Sequence, residues 1–128
     1  MIDLSMHCGR ALVALQAAGR IRVAFLPGML LHEVGTTTSC RVTELCGLLG
    51  GVWRPDLTDA ATVGCLLALL REARNDPSVR GPAWEERDPL GYRWPDHEYR
   101  WVLWTPYYAA PTEGEVLAAA LIALAGVP

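Results

Sequence analysis

The sequence predicts a single α+β domain over 1–128, with three helices packed on a small, mostly antiparallel sheet. Three observations carry this. Three segments place apolar residues at helical spacing between recognisable start and stop residues. Short alternating runs, bounded by Pro, Gly and Asp, lie between them. The chain has 128 residues, 52% hydrophobic and 20% charged, which suffices for one core without disulfide or metal staples.

The first helix is expected over 3–18. Leu4, Cys8, Ala11, Leu12 and Leu15 recur on one face, Arg10 and Gln16 lie off it, and Gly19 stops it. So narrow a stripe places the helix on a surface with one side wet. Ile21, Val23 and Phe25 then alternate with Arg20, Arg22 and Ala24, the pattern of a half-buried strand over 21–26 that Pro27-Gly28 ends. The run 35–39, Gly-Thr-Thr-Thr-Ser, reads as a loop or hairpin tip. Over 41–53 the chain is apolar but broken by Gly47, Gly50 and Gly51, so strand is expected only at its two ends.

Asp59 is placed to cap a second helix over 60–74, and Asn75-Asp76-Pro77 stops it. Val63, Leu66, Leu67 and Leu70 form one face, while Cys65 and Leu69 make the other side apolar too. A helix apolar nearly all round is buried in the fold or in an interface. The polar stretch 78–88 reads as a loop. Strands follow over 91–94 and 98–105, with Pro95-Asp96-His97 turning between them. Alternation sends Tyr99, Trp101 and Leu103 to one face and Arg100, Val102 and Trp104 to the other. The last helix has the clearest start: Pro111, then Thr112 with Glu115 three residues on, a capping box. It carries no charge over 116–125 and closes at Gly126. Leu117, Leu121 and Leu124 share a face; Val116 and Ile122 lie off it. Two helices apolar on several sides predict a homo-oligomer, a two-fold dimer being the simplest form.

Composition excludes several functions. A formal net charge of -3 gives no overall pull toward nucleic acid or anionic membrane. All eleven basic residues are Arg, a chain-wide bias that reads as base composition and cannot support a local claim. Met1 to Arg10 lacks a secretory apolar run, and no charge-free run is long enough to span a bilayer. A reducing cytoplasm is therefore expected, with free thiols at Cys8, Cys40, Cys46 and Cys65. His7, Cys8, His32, Cys40, Cys46, Cys65 and His97 lack zinc-site spacing, so neither a metal nor another cofactor is expected. Cys40 or Cys46 with His97 is a pairing that any chain with such a composition offers. Glu85, Glu86 and Asp88 read as a solvated cluster, and Gly47, Gly50 and Gly51 lack the Lys-Ser/Thr of a phosphate loop. No convergent catalytic set emerges, so an enzyme is not expected.

What stands out is aromatic. Trp84, Tyr92, Trp94, Tyr99, Trp101, Trp104, Tyr107 and Tyr108 fall within 25 positions, with Arg87, Arg93 and Arg100 among them. Trp, Tyr and Arg are the side chains that anchor ligands and partners. Tyr99, Trp101 and Leu103 have an equally good account as the inner face of a sheet. Trp104 faces the other way, and Tyr107 and Tyr108 read as a Pro-flanked loop. Arg93, Arg100, Trp104, Tyr107 and Tyr108 are therefore the expected binding surface.

Two stretches carry a resemblance. Trp53-Arg-Pro-Asp-Leu-Thr-Asp-Ala-Ala-Thr-Val-Gly-Cys-Leu-Leu-Ala-Leu-Leu-Arg-Glu-Ala73 resembles a segment of small uncharacterised phage and prophage accessory proteins. The ending from Trp104 through Pro111-Thr-Glu-Gly-Glu-Val-Leu-Ala-Ala-Ala-Leu121 resembles their strand-then-helix close. Together they cover about a third of the chain. The resemblance implies no site residue. It implies a phage accessory setting in the cytoplasm of a bacterial host, where such proteins bind a defence protein, a polymerase or a nucleotide signal; the expected target is a host defence component, either a protein or a small anionic nucleotide signal. The alternative is a structural or assembly protein whose aromatic cluster is core and subunit interface.

Overall fold

The computed structural model describes residues 3–43, 51–88, 90–94, 99–104 and 107–126. The elements are α1 (Leu4–Ala17), β1 (Leu30–Glu33), β2 (Ser39–Arg41), β3 (Trp53–Pro55), α2 (Ala60–Ala73), β4 (Ala83–Glu85), β5 (Arg100–Trp104), β6 (Tyr107–Ala110) and α3 (Glu113–Ala125). This is the α+β class. The strands divide between two three-stranded antiparallel sheets, in orders β2-β1-β3 and β4-β5-β6.

Each helix begins at a side-chain cap. Asp3 accepts from the amides of Ser5 and Met6, Asp59 from that of Thr62, and Thr112 from that of Glu115 at 3.2 Å. The capping box at α3 thus has its hydroxyl arm. Its other arm departs from expectation: Glu115 Oε2 is buried without a hydrogen-bond partner. Asp59 also joins elements. Arg41 grips it in a fork at 2.9 and 3.0 Å and donates to the Gly28 carbonyl. The Thr62 hydroxyl donates to Asp59 and accepts from the Leu30 amide. One carboxylate therefore starts α2 and ties it to the first sheet.

The strand expected over 21–26 does not form. Ile21 and Ala24 are the buried residues there, while Val23 is exposed. The spacing is three, not two. Side chains hold the segment instead: Arg20 donates twice to the Ala73 carbonyl, Glu72 accepts from the Arg22 amide, and Gln16 from the Ala24 amide. The hairpin tip at 35–39 is found between β1 and β2, and strand occupies the ends of the 41–53 run, at Arg41 and Trp53. Cys46, Gly47, Gly50 and the turn at Pro95-Asp96-His97 lie outside the described residues.

The region 78–88 is not all loop, because β4 pairs Ala83, Trp84 and Glu85 with Val102, Trp101 and Arg100. The strand expected over 91–94 reduces to a bridge between Arg87 and Arg93. Tyr107 and Tyr108 belong to β6, not to a loop, and pair with Trp104 and Leu103. The missed strand is short and Pro-preceded, so local pattern could not separate it from a turn.

The core runs through all three helices: Cys8, Leu12 and Leu15 of α1, Leu66, Leu69 and Leu70 of α2, and Val116, Leu117 and Leu121 of α3. As expected, α1 keeps one side wet. In α2, Leu69 joins Leu66 and Leu70 inside, and Leu67 is only half-buried. α3 packs on α1, α2, β5 and β6, so Val116 is as buried as Leu117. This position requires Gly114, where an added Cβ would collide with the Leu57 carbonyl oxygen. Backbone cannot yield as a side-chain tip can. Gly114→Ala should therefore destabilise the chain by about 1–3 kcal/mol, the usual cost of overpacking. Thr112→Ala should cost about 1 kcal/mol as a lost cap. Denaturant midpoints measure both, and unchanged values would contradict this start for α3.

Asp3, Asp56, Asp59 and Asp76 all have carboxyls held below their ordinary value of 3.8. The cause at Asp59 is first the Arg41 fork, then Thr62. A depressed carboxyl contributes stability that is complete above the unfolded value and is lost as pH falls through the folded one. Stability should thus decline as pH drops below about 4. Asp59→Asn should flatten that decline, and an equally steep acid slope in the variant would count against the role given to Asp59.

Candidate functional site

Register sorts the aromatic segment into two faces. Trp84, Tyr99 and Trp101 share one. Trp84 stacks on Tyr99 at 5.6 Å between ring centroids, 10° from parallel, and meets Trp101 at 5.3 Å. Leu103 and Tyr108 continue this face into the core, with Trp101 and Tyr108 packed against it. Tyr108 therefore lies opposite Tyr107, because adjacent strand residues point apart. It does not join the expected surface. Trp101 and Leu103 do face the core, whereas Tyr99 stays exposed and stacks on Trp84 in β4.

Arg100, Val102, Trp104 and Tyr107 make up the other face, on which Val102 is fully buried while Trp104 and Tyr107 are exposed. Trp104 and Tyr107 pair across β5 and β6 with ring centroids 5.7 Å apart and 55° between planes. They are 50% and 38% exposed, despite sitting in regular strands. The Arg100 guanidinium lies 4.8 Å from the Trp94 ring centre, a cation–π contact. Arg93 pairs with Glu86 at 2.8 Å. Both arginines are thus engaged. Burial pushes the Tyr107 hydroxyl up, as does nearby Asp88, against an opposing pull from Arg100, so it remains a neutral hydrogen-bond donor.

Beside Trp104 a cavity of about 230 Å³ opens between the C-terminus of α2 and the end of β5. Arg74, Asp76, Ser78, Arg80, Leu103 and Trp104 are among its walls. Arg74 is the C-cap residue of α2, and its Nη1 is buried with no hydrogen-bond partner. A buried guanidinium nitrogen left unpaired is costly. Sequence reasoning missed Arg74 and Arg80. The signal was two arginines flanking the helix stop Asn75-Asp76-Pro77. Only tertiary structure brings that stop to Trp104, thirty positions away in the chain.

A second polar cluster lies on the first sheet. His32 Nδ1 is 2.7 Å from Ser39 Oγ, and Nε2 is 2.9 Å from Asp56 Oδ2. The order matches a nucleophile–base–orienter chain. Each member, however, is a neighbour by register or turn. His32 pairs with Ser39 across β1 and β2, and Asp56 also accepts from the Thr58 hydroxyl and amide. Thr58 first and then His32 hold the Asp56 carboxyl below its ordinary value. The cluster reads as a cross-strand tie. The open cleft beside it, about 690 Å³, is lined by Asp3, Asp56 and Glu115 against Arg54.

Cys8 is buried, and burial pushes its thiol up to about 12, so it is an inert core group. Among the described residues, no group of three His, Cys, Asp or Glu side chains converges as a metal site would require. Among them too, no helix is long and apolar enough to cross a membrane. Compared with protein-family models, curated proteins and solved structures, the chain matches none of them.

Because the Arg93–Glu86 pair is half exposed, Arg93→Ala should shift stability by less than about 1 kcal/mol. A larger loss in thermal or denaturant unfolding would make Arg93 part of the architecture.

Proposed function

We propose that this protein is a non-enzymatic accessory protein of phage type that acts by binding, with Trp104 and Tyr107 at its working surface. Its target is a host defence component in the cytoplasm of a bacterial host. The observation that carries the reading is the exposed Trp104–Tyr107 pair, of which Trp104 lines a cavity with two arginines in its walls. A large ring left half in water within a paired strand gains nothing for the core. At a rim it gives area and orientation to a ligand at low entropic cost. Concave walls of Arg and Trp favour a small anionic nucleotide signal over a flat protein epitope.

The second reading is a structural or assembly role through self-association. It is favoured by the apolar groove of about 440 Å³ along α1, lined by Val13, Ala14, Ala17, Phe25, Val52 and Trp53. Light scattering at micromolar concentration tests it: a dimer of the 14.0 kDa chain supports it, and monomer alone contradicts it.

The leading reading is tested with Trp104→Ala and Tyr107→Ala, each assayed for stability and for what the purified protein retains. Mass spectrometry should find bound anionic small molecules on the parent chain. Both variants should lose them with unfolding midpoints within about 0.5 kcal/mol of the parent. Full retention by both variants, or a large loss of stability, would mean that the two rings are architecture.

A further inference from the structure

We infer that the cavity between the end of α2 and the end of β5 seats the phosphate of a small nucleotide, whose base lies against Trp104. This rests on the Trp104 surface proposed above and names its ligand class.

Arg74 lines the cavity, and its Nη1 is buried without a hydrogen-bond partner, while several acceptors of the same turn are already used. The Ala73 carbonyl takes two donors from Arg20. The Val79 carbonyl accepts from Arg71 Nε at 2.8 Å. Asp76 Oδ1 accepts from the Ser78 amide and hydroxyl at 3.0 and 2.6 Å. The carbonyls ending α2 are likewise used: Leu70, Arg71 and Glu72 accept from the amides of Arg74, Asp76 and Asn75. Those bonds blunt the negative end of the helix, which would otherwise repel an anion. Asp76 Oδ2 is the acceptor left over, so an anion in the cavity competes with it for the Arg74 guanidinium.

Charge gives the sign of the ligand. Arg74 and Arg80 outnumber the one carboxylate, Asp76, so the walls of the empty cavity are net positive and favour an anion. Arg presents planar, forked donors that match phosphate oxygens. Asp76 opposes the anion, with one of its two oxygens turned to Ser78. Size narrows the choice. At about 230 Å³ the cavity is smaller than the roughly 300–1,000 Å³ sites that enclose a drug-sized ligand. It holds a phosphoryl group and part of a sugar, not a whole oligonucleotide. The base must then lie outside, at the rim, where Trp104 offers an exposed ring. Tyr107 props that ring from its other neighbour strand.

The test is calorimetric titration of the full chain with adenosine 5′-monophosphate, adenosine and inorganic phosphate, at low and at moderate salt. The monophosphate should bind about tenfold or more tightly than either fragment, and salt should weaken it more than it weakens adenosine. Arg80→Gln, at an exposed position, and Arg74→Gln should each weaken the monophosphate by about tenfold and leave adenosine unchanged. Trp104→Ala should weaken adenosine and the monophosphate together. Adenosine binding as tightly as the monophosphate would overturn the phosphate seat. So would Arg80→Gln retaining full affinity, or no binding of the monophosphate at millimolar concentration. Each of these leaves the Trp104 surface to be judged by its own retention assay, so the two failures are distinguishable.

Discussion

A helix that carries no charge over 116–125 must be covered on nearly every side, and this chain covers α3 with its own elements. α1 and α2 lie against it, and β5 and β6 complete the enclosure. The close approach of Gly114 to the Leu57 carbonyl pins its start. Once α3 is held there, α2 and the second sheet have a fixed relation, because both pack on the same helix. The gap between the last turn of α2 and the end of β5 follows from that relation. Arg74 and Trp104 both line it.

Local chemistry made much of this legible. Asp59 and Thr112 announced the starts of α2 and α3, and helical spacing found the buried sides. The period-two pattern at 21–26 misled because Arg20, Arg22 and Gln16 serve the segment through hydrogen bonds, which hydrophobic alternation does not encode. β4 escaped because three residues pair only by virtue of β5. Tyr108 was misassigned with its neighbour Tyr107: a loop reading allows both to face one way, and a strand forbids it. Arg93 and Arg100 drew attention by sitting among the aromatics, yet Glu86 and Trp94 engage them. Arg74 and Arg80 lay outside the aromatic run, and no spacing rule links a helix stop to a strand thirty positions on.

The Trp104 cavity differs from the polar centres at Asp59 and His32. Around Asp59, Arg41, Thr62 and the Leu30 amide close a network. Around His32, Ser39, Asp56 and Thr58 close another, and the cleft beside it holds Glu115, whose Oε2 is buried without a partner. At the Trp104 cavity the buried unpartnered atom is a donor, Arg74 Nη1, and a half-exposed ring borders it. Closed networks fix a fold, whereas an open buried donor beside an aromatic wall is a place for something else to bind.

The most direct test is a crystal structure of the chain with adenosine 5′-monophosphate. The account predicts phosphate oxygens within hydrogen-bond distance of Arg74 Nη1 and of the Arg80 guanidinium, with the base on Trp104. A ligand bound elsewhere, or Arg74 Nη1 paired to Asp76 across a closed cavity, would contradict it.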